Sequence, residues 1–162
     1  MHIEEARPMD AEAMLRVQRA AVRGTAVAFY DADVIEAWAP LPLRTEVIEA
    51  LALRLARRVE EAVVSRDRSG SIIGFGSIVP GSHELRAVYV APDHGRAGIG
   101  GDILCELEKR ALKCGLTELT MDASINAEAF YLRHGFMREG YGEHILPGGR
   151  GMACIHMRKR LV

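Results

Sequence analysis

Apolar residues recur every three to four positions in several stretches of this chain and alternate in most of the others. The pattern therefore predicts helices and strands in a definite order. Residues 2–6 read as a short extended segment closed by Pro8. Met14, Leu15, Val17 and Ala21 predict a helix over 10–23, with Asp10 as its N-cap and Gly24-Thr25 as its break. A second, short helix over 32–39 ends at Pro40 and Pro42, and a third over 44–58 carries Val47, Ile48, Leu51, Leu55 and Val59. The period then falls to two. Residues 61–65 and 71–79 read as strands of a hairpin around Asp67-Arg68-Ser69-Gly70. Leu85 to Val90 is apolar and β-branched enough for a strand through the core, and Pro92 stops it. Behind it, a helix carries Ile99, Ile103, Leu104, Leu107 and Ala111 on one side. A strand over 118–122, a short helix over 127–134, a strand opening at Gly135-Phe136 and a last strand over 152–157 complete the order.

Hairpin strands pair antiparallel, and each strand–helix–strand crossover predicts a parallel pair of neighbours. The fold class is α/β: a mixed, mostly antiparallel sheet with helices on both faces. No repeat, low-complexity segment or linker divides residues 1–162, which are expected to form a single domain.

Composition narrows the partners. The chain is 49% hydrophobic and 27% charged, with a net charge of −1. That balance argues against a nucleic-acid partner held by backbone phosphates. The first residues, MHIEEARP, lack the basic and apolar regions of a signal peptide, and no apolar run approaches the roughly 20 residues of a membrane span. Cys105, Cys114 and Cys154 are an odd number without a CxxC pair, so reduced thiols in a cytoplasm are expected, packed as small buried hydrophobes. The six histidines show no clustered ligand spacing, so no metal is expected. His94 is expected in solvent, and Glu143-His144 as a surface pair, the alternative being that it reaches a ligand pocket.

The chemistry begins between the central strand and the long helix. Gly95, Gly98, Gly100 and Gly101 fall within seven residues there. The first N–H groups of a helix lack intrachain partners, the macrodipole is positive at that end, and glycine lets a phosphate approach the backbone closely. The stretch therefore predicts a site for a phosphate-bearing cofactor. A dinucleotide fold fails because the third glycine of G-x-G-x-x-G is absent, and a P-loop fails because no G-K-[ST] follows.

Two blocks give the turn a family. Val90-Ala91-Pro92-Asp93-His94-Gly95-Arg96-Ala97-Gly98-Ile99-Gly100 resembles the acetyl-CoA block, Q/R-x-x-G-x-G/A, of the GCN5-related N-acetyltransferase (GNAT) superfamily. Phe130-Tyr131-Leu132-Arg133-His134-Gly135-Phe136 resembles its F-Y-x-x-x-G-F block. The two stand in the family's order, and with the strand order the resemblance covers the chain from about Glu60. A narrower similarity, in Met121-Asp122-Ala123-Ser124 and Ala37-Trp38-Ala39, points to small bacterial acetyltransferases.

The resemblance implies a GNAT-like single domain that transfers acetyl from acetyl-CoA, as cosubstrate, directly to a primary amine of a small molecule or peptide. It implies main-chain pyrophosphate contacts from Gly95, Arg96, Ala97, Gly98, Ile99 and Gly100. Gly95 stands where the family has Gln or Arg, which leaves Arg96 to supply the cation. Val88 would offer its N–H to the thioester oxygen, and Val90 would lie along the pantetheine arm. The family's asparagine, seven residues before the tyrosine, corresponds to Ser124, while Asn126 is five before it. Tyr131 matches the residue that protonates the leaving thiolate; packing alone would make it a core aromatic beside Phe130. Glu84 matches the position of the family's base, and strand alternation would place it on one face with Arg86, Val88 and Val90; its plainer role is to cap a strand entrance. Phe29, Tyr30 and Trp38 read either as an aromatic wall for the acceptor or as a core stripe. Many relatives form homodimers. The alternatives are a non-catalytic acyl-CoA-sensing module of the same fold and a toxin-like enzyme acting on aminoacyl-tRNA, the latter disfavoured by the lack of basic excess.

Overall fold

In the computed structural model, which describes residues 2–162, the chain runs in the order β1 (His2–Glu5), α1 (Ala11–Ala21), α2 (Ala32–Trp38), α3 (Thr45–Ala56), β2 (Glu61–Arg66), β3 (Ile72–Val79), β4 (Glu84–Val90) and α4 (Ile99–Lys113). It continues through β5 (Glu118–Ser124), α5 (Glu128–Arg133), β6 (Met137–Ile145) and β7 (Gly151–Arg160). All seven strands join one sheet in the order β1-β2-β3-β4-β5-β7-β6. β4 and β5 pair parallel and the other neighbours antiparallel, as a mixed, mostly antiparallel sheet requires.

One expected pairing is absent. The crossover through α5 should have made β6 the parallel neighbour of β5, but β7 lies between them, antiparallel to both. The side chains explain the choice. β7 brings Ile155 and Met157 to the core beside Leu119, Met121 and Ala123 of β5. β6 exposes Met137, Arg138, Glu139, Tyr141 and Glu143, which suits an edge.

Helices cover both faces. On one, the α4 stripe of Ile99, Ile103, Leu104, Leu107 and Ala111 packs on Val63, Ile73, Ile78 and Leu85. Each of its larger side chains contributes about 1.5–3 kcal/mol by burial. On the other, Met14 and Val17 of α1 and Leu51 and Leu55 of α3 pack on Ala62, Val64 and Phe75.

Three local expectations change. Asp10 precedes α1 without capping it; its buried carboxylate accepts the Arg7 N–H and the Arg66 guanidinium, each at 2.8 Å. Gly24-Thr25 does not break the helix but lies in a five-residue π-helical turn, Val22–Ala26, where the Thr25 hydroxyl donates to the Ala21 carbonyl at 2.6 Å. Of the cysteines only Cys154 is buried. Cys105 lies off the apolar stripe of α4, and Cys114 follows the last turn.

Candidate active site

β4 and β5 pair at a single register position, Glu84 with Thr120, and then diverge. The direction of the β4 amides beyond that point follows from the β3 ladder. Ala91 donates to the Ile73 carbonyl at 2.8 Å, and the register pairs Phe75 with Tyr89 and Ser77 with Ala87. Antiparallel strands alternate bonded and non-bonded pairs, so Val88 and Val90 aim their N–H and C=O groups away from β3 into the gap. The gap opens into a cleft of about 680 Å³ lined by Glu84 to Val90 on one side and by Met121, Asp122, Ser124, Asn126 and Tyr131 on the other.

The faces of β4 differ from simple alternation. Ser77 pairs with Ala87 but Ile78 with Leu85, so Arg86 is an extra residue, a β-bulge. It reverses the phase of the strand. Leu85, Val88 and Val90 share the α4 face, whereas Ala87 and Tyr89 pack toward α1 and α3. Glu84 therefore does not share a face with Val88 and Val90. It pairs with Arg86 at 3.3 Å, and Arg86 reaches the buried Glu60 at 3.7 Å. Glu60 is further held by Arg54 at 2.9 Å and by the Ser77 hydroxyl at 2.7 Å. Arg54, Glu84 and Arg86 all line the cleft.

The glycine turn has the shape an anion needs. Gly98, at φ +80°, sets the left-handed residue before α4, and the N–H groups of Ile99, Gly100 and Gly101 precede the first intrahelical bond, Asp102 N–H to the Gly98 carbonyl at 3.1 Å. Arg96 and Ala97 are exposed beside them, Arg96 with a left-handed φ of 63°. Gly95 is different. Its φ of −65° suits any residue, and a Cβ there would meet nothing nearer than the Pro92 carbonyl oxygen at 3.4 Å. His94, expected in solvent, is half-buried, with its Nδ1 enclosed and without a partner among the described residues.

Across the cleft, Ser124 and Asn126 both face the opening, and the Asn126 side-chain oxygen is buried without a partner among the described residues. Tyr131 lies between the core and the cleft. Its ring packs edge-on against Phe130 and Phe136, at 5.0 and 5.6 Å between centroids, and the residue also lines the cleft. Burial, reinforced by the Tyr89 phenol, raises its pKa well above the ordinary tyrosine value. Trp38 lines the cleft too, edge-on against Tyr30 at 5.6 Å; the Tyr30 hydroxyl accepts from the Ile125 N–H and donates to the Ala153 carbonyl, while Phe29 is exposed.

One cluster is invisible to spacing. Asp122 of β5 accepts hydrogen bonds from Nδ1 of His144 on β6, at 3.0 Å, and from Nδ1 of His156 on β7, at 2.8 Å. Cys154 lies close by, and its thiol is raised by burial, then by Asp122 and Glu143. His144 is thus a cleft residue joined to Asp122 rather than one of a surface pair with Glu143. The only sequence trace of the cluster was Gly142: a Cβ there would lie 2.0 Å from His156 Nε2, so the imidazole needs a glycine opposite it.

Comparison with known proteins agrees with this geometry. The acetyltransferase (GNAT) domain family matches residues 42–161. The chain is 29% identical over 136 residues to the uncharacterized N-acetyltransferase YafP of Escherichia coli K12, covering 84% of this chain and 81% of that protein. A GCN5-related N-acetyltransferase from Rhodopseudomonas palustris superposes with a TM-score of 0.82 at 23% identity, over 98% of this chain and 94% of the other. The PaiA N-acetyltransferase of Thermoplasma acidophilum, in complex with coenzyme A, gives 0.77 at 23% identity over 99% of each chain. YncA of Salmonella typhimurium, with its cofactor acetyl-CoA, gives 0.72 at 22% identity over 100% of this chain and 94% of that one. Family match, strand order and the β4–β5 cleft converge, and the chain belongs to the GCN5-related N-acetyltransferase family of acetyl-CoA-dependent acyltransferases.

Proposed function

We propose that the protein transfers the acetyl group of acetyl-CoA directly to a primary amine of a small molecule or peptide. The observation that carries this reading is the divergence of β4 from β5 directly before the glycine turn, with the Val88 and Val90 main chain facing the gap.

Acetyl-CoA supplies an activated thioester carbon, so no acyl-enzyme is needed. The residues then divide the work. The turn at Gly95, Arg96, Ala97, Gly98, Ile99 and Gly100 holds the pyrophosphate, with unpaired helix N–H groups as donors and Arg96 as the cation. Val90 and the buried amide oxygen of Asn126 suit the polar arm of the cofactor, and Ser124 caps the same wall. The Val88 N–H suits the developing oxyanion. Tyr131 keeps its phenolic proton at neutral pH and lines the cleft, so it can give a hydrogen bond or a proton to the leaving thiolate.

The acceptor arrives mostly as ammonium, since an amine of pKa near 10.4 pays roughly 4–5 kcal/mol to lose its proton at pH 7. Glu84 is the carboxylate that β4 offers for that cation or its proton, and Arg86 already engages its oxygens. The free thiols are those expected of a cytoplasmic enzyme.

Thermal shift with acetyl-CoA, CoA and ATP, followed by CoA release against a panel of amines, tests the reading. Stabilisation by the two CoA species and turnover with at least one amine are expected. Stabilisation without turnover on any amine would favour an acyl-CoA sensor, and no stabilisation by either CoA species would contradict the assignment.

A further inference from the structure

We infer that His144, oriented by Asp122 and braced through it by His156, accepts the proton of the acceptor amine; the inference rests on the acetyl-transfer reading above. It starts from where the three strands bring their side chains. Thr120 is the last β5 residue in register with β4, and Asp122 follows two positions later, at the mouth of the divergence. Met121 and Ala123 point into the α4 core, so Asp122 points to the opposite face, the one on which Glu84 and Arg86 lie. Asp122, His144, Trp38, Leu146 and Met152 all line the cleft; Trp38 packs with Leu146 and Met152, and His144 is the register partner of Met152.

The bonding fixes what His144 can do. An ionised carboxylate only accepts hydrogen bonds, so both imidazoles donate to Asp122 through Nδ1. Burial works to raise the Asp122 carboxyl, but the bonds from His144 and His156 outweigh it and hold the group below its ordinary value. Asp122 thus stays an acceptor, and a neutral His144 keeps its proton on Nδ1 and its lone pair on Nε2. The same division of labour makes the imidazole of a Ser-His-Asp triad a base. Asp122 then stabilises the imidazolium that forms. Glu84 is less well placed for this task, because Arg86 engages both of its oxygens, at 3.5 and 3.3 Å.

His156 is a positioning residue. It shares the carboxylate with His144 and fills the notch left by Gly142. The proton balance closes. The ammonium nitrogen loses two protons in becoming an amide; the first passes to His144 Nε2 and on to water. The second leaves the nitrogen of the tetrahedral adduct and restores the Tyr131 phenol, which has given its own proton to the sulfur as the C–S bond breaks.

The test uses the full-length chain, an amine on which the wild type releases CoA, and histidine labelled with ¹⁵N. His144→Ala and the near-isosteric His144→Gln should lower kcat about 10²–10⁴-fold while leaving the acetyl-CoA Kd unchanged, and imidazole in the buffer should restore part of the His144→Ala rate. The ¹⁵N spectrum should show His144 as the Nδ1–H tautomer in the wild type and lose that preference in Asp122→Asn. Near-wild-type kcat in both His144 variants would overturn the inference, as would a Glu84→Gln variant that loses the rate while the His144 variants keep it. A wild-type Nε2–H tautomer would also overturn it. A wild type that binds acetyl-CoA but acetylates no amine would instead overturn the acetyl-transfer reading beneath it.

Discussion

Glu84 and Thr120 face each other across β4 and β5 at the single position where the two strands are in register. The Thr120 N–H reaches back one residue further, to the His83 carbonyl at 2.8 Å. From Ala87 to Val90, β4 is thereby paired to β3 and free on its other edge. A parallel neighbour would otherwise have consumed the Val88 and Val90 amides.

Removing one of those amides is the cleanest probe of the main-chain role. Val88 does not donate to β3, so Val88→Pro deletes a donor without breaking the ladder, and proline is tolerated on such an edge. Loss of an oxyanion donor should lower kcat about 10²–10³-fold with acetyl-CoA affinity retained. Steady-state kinetics with calorimetric binding checks both halves.

Tyr131→Phe keeps the aromatic packing against Phe130 and Phe136 and deletes only the hydroxyl. It should lower kcat by about 10²-fold or more with little change in acetyl-CoA Kd. The direction of the Tyr131 shift sets a pH expectation as well. A phenol raised above its ordinary value keeps its proton through the alkaline range, so kcat should not fall as pH rises toward the ordinary tyrosine value near 10. A decline there that Tyr131→Phe abolishes would contradict the raised value, and near-wild-type kcat in Tyr131→Phe would contradict the assignment.

The phosphate turn gives a prediction of gain. Gly95 has an ordinary backbone and room for a side chain, so Gly95→Arg should fold normally and add a cation to the turn. Acetyl-CoA should bind about two- to fivefold more tightly, with a steeper salt dependence. Arg96→Gly removes a cation and relieves a left-handed φ; it should weaken binding by a similar factor and make it less salt-sensitive.

Far from the cleft, Asp10 should govern acid stability. Burial opposes its ionisation, but the Arg7 N–H and the Arg66 guanidinium prevail and hold its carboxyl below 3.8. A depressed folded pKa contributes stability that is complete above the unfolded value and is lost as pH falls through the folded one. Asp10→Asn should cost about 1–3 kcal/mol near neutrality, by analogy with a lost charged hydrogen bond. Below pH 3.8 the difference between the two proteins should shrink. Urea unfolding at pH 7 and pH 3 would measure it.

What the sequence disclosed and what it withheld divide along physical lines. The α4 stripe, the glycine turn and the F-Y-x-x-x-G-F block depend on residues close in sequence, and all three were legible. The face of Glu84 was not, because the bulge at Arg86 is set by the register against Ser77 and Ile78 on β3. The place of β7 is hidden for a similar reason: local connection favours β5 beside β6, and only the burial of Ile155 and Met157 reverses it. Asp122, His144 and His156 come from three strands and meet only when β7 takes that central place. Glu60 likewise acquires its role from Arg54, Ser77 and Arg86, none of which neighbours it in sequence.

Hydrogen–deuterium exchange of the full chain, with and without saturating acetyl-CoA, tests the central claim most directly. Free amides at Val88 and Val90 and at the start of α4 should exchange readily in the unliganded protein and become protected together on binding, while β1 and β6 stay unchanged. Saturable acetyl-CoA binding with protection confined to other segments would contradict the assignment of the β4–β5 cleft.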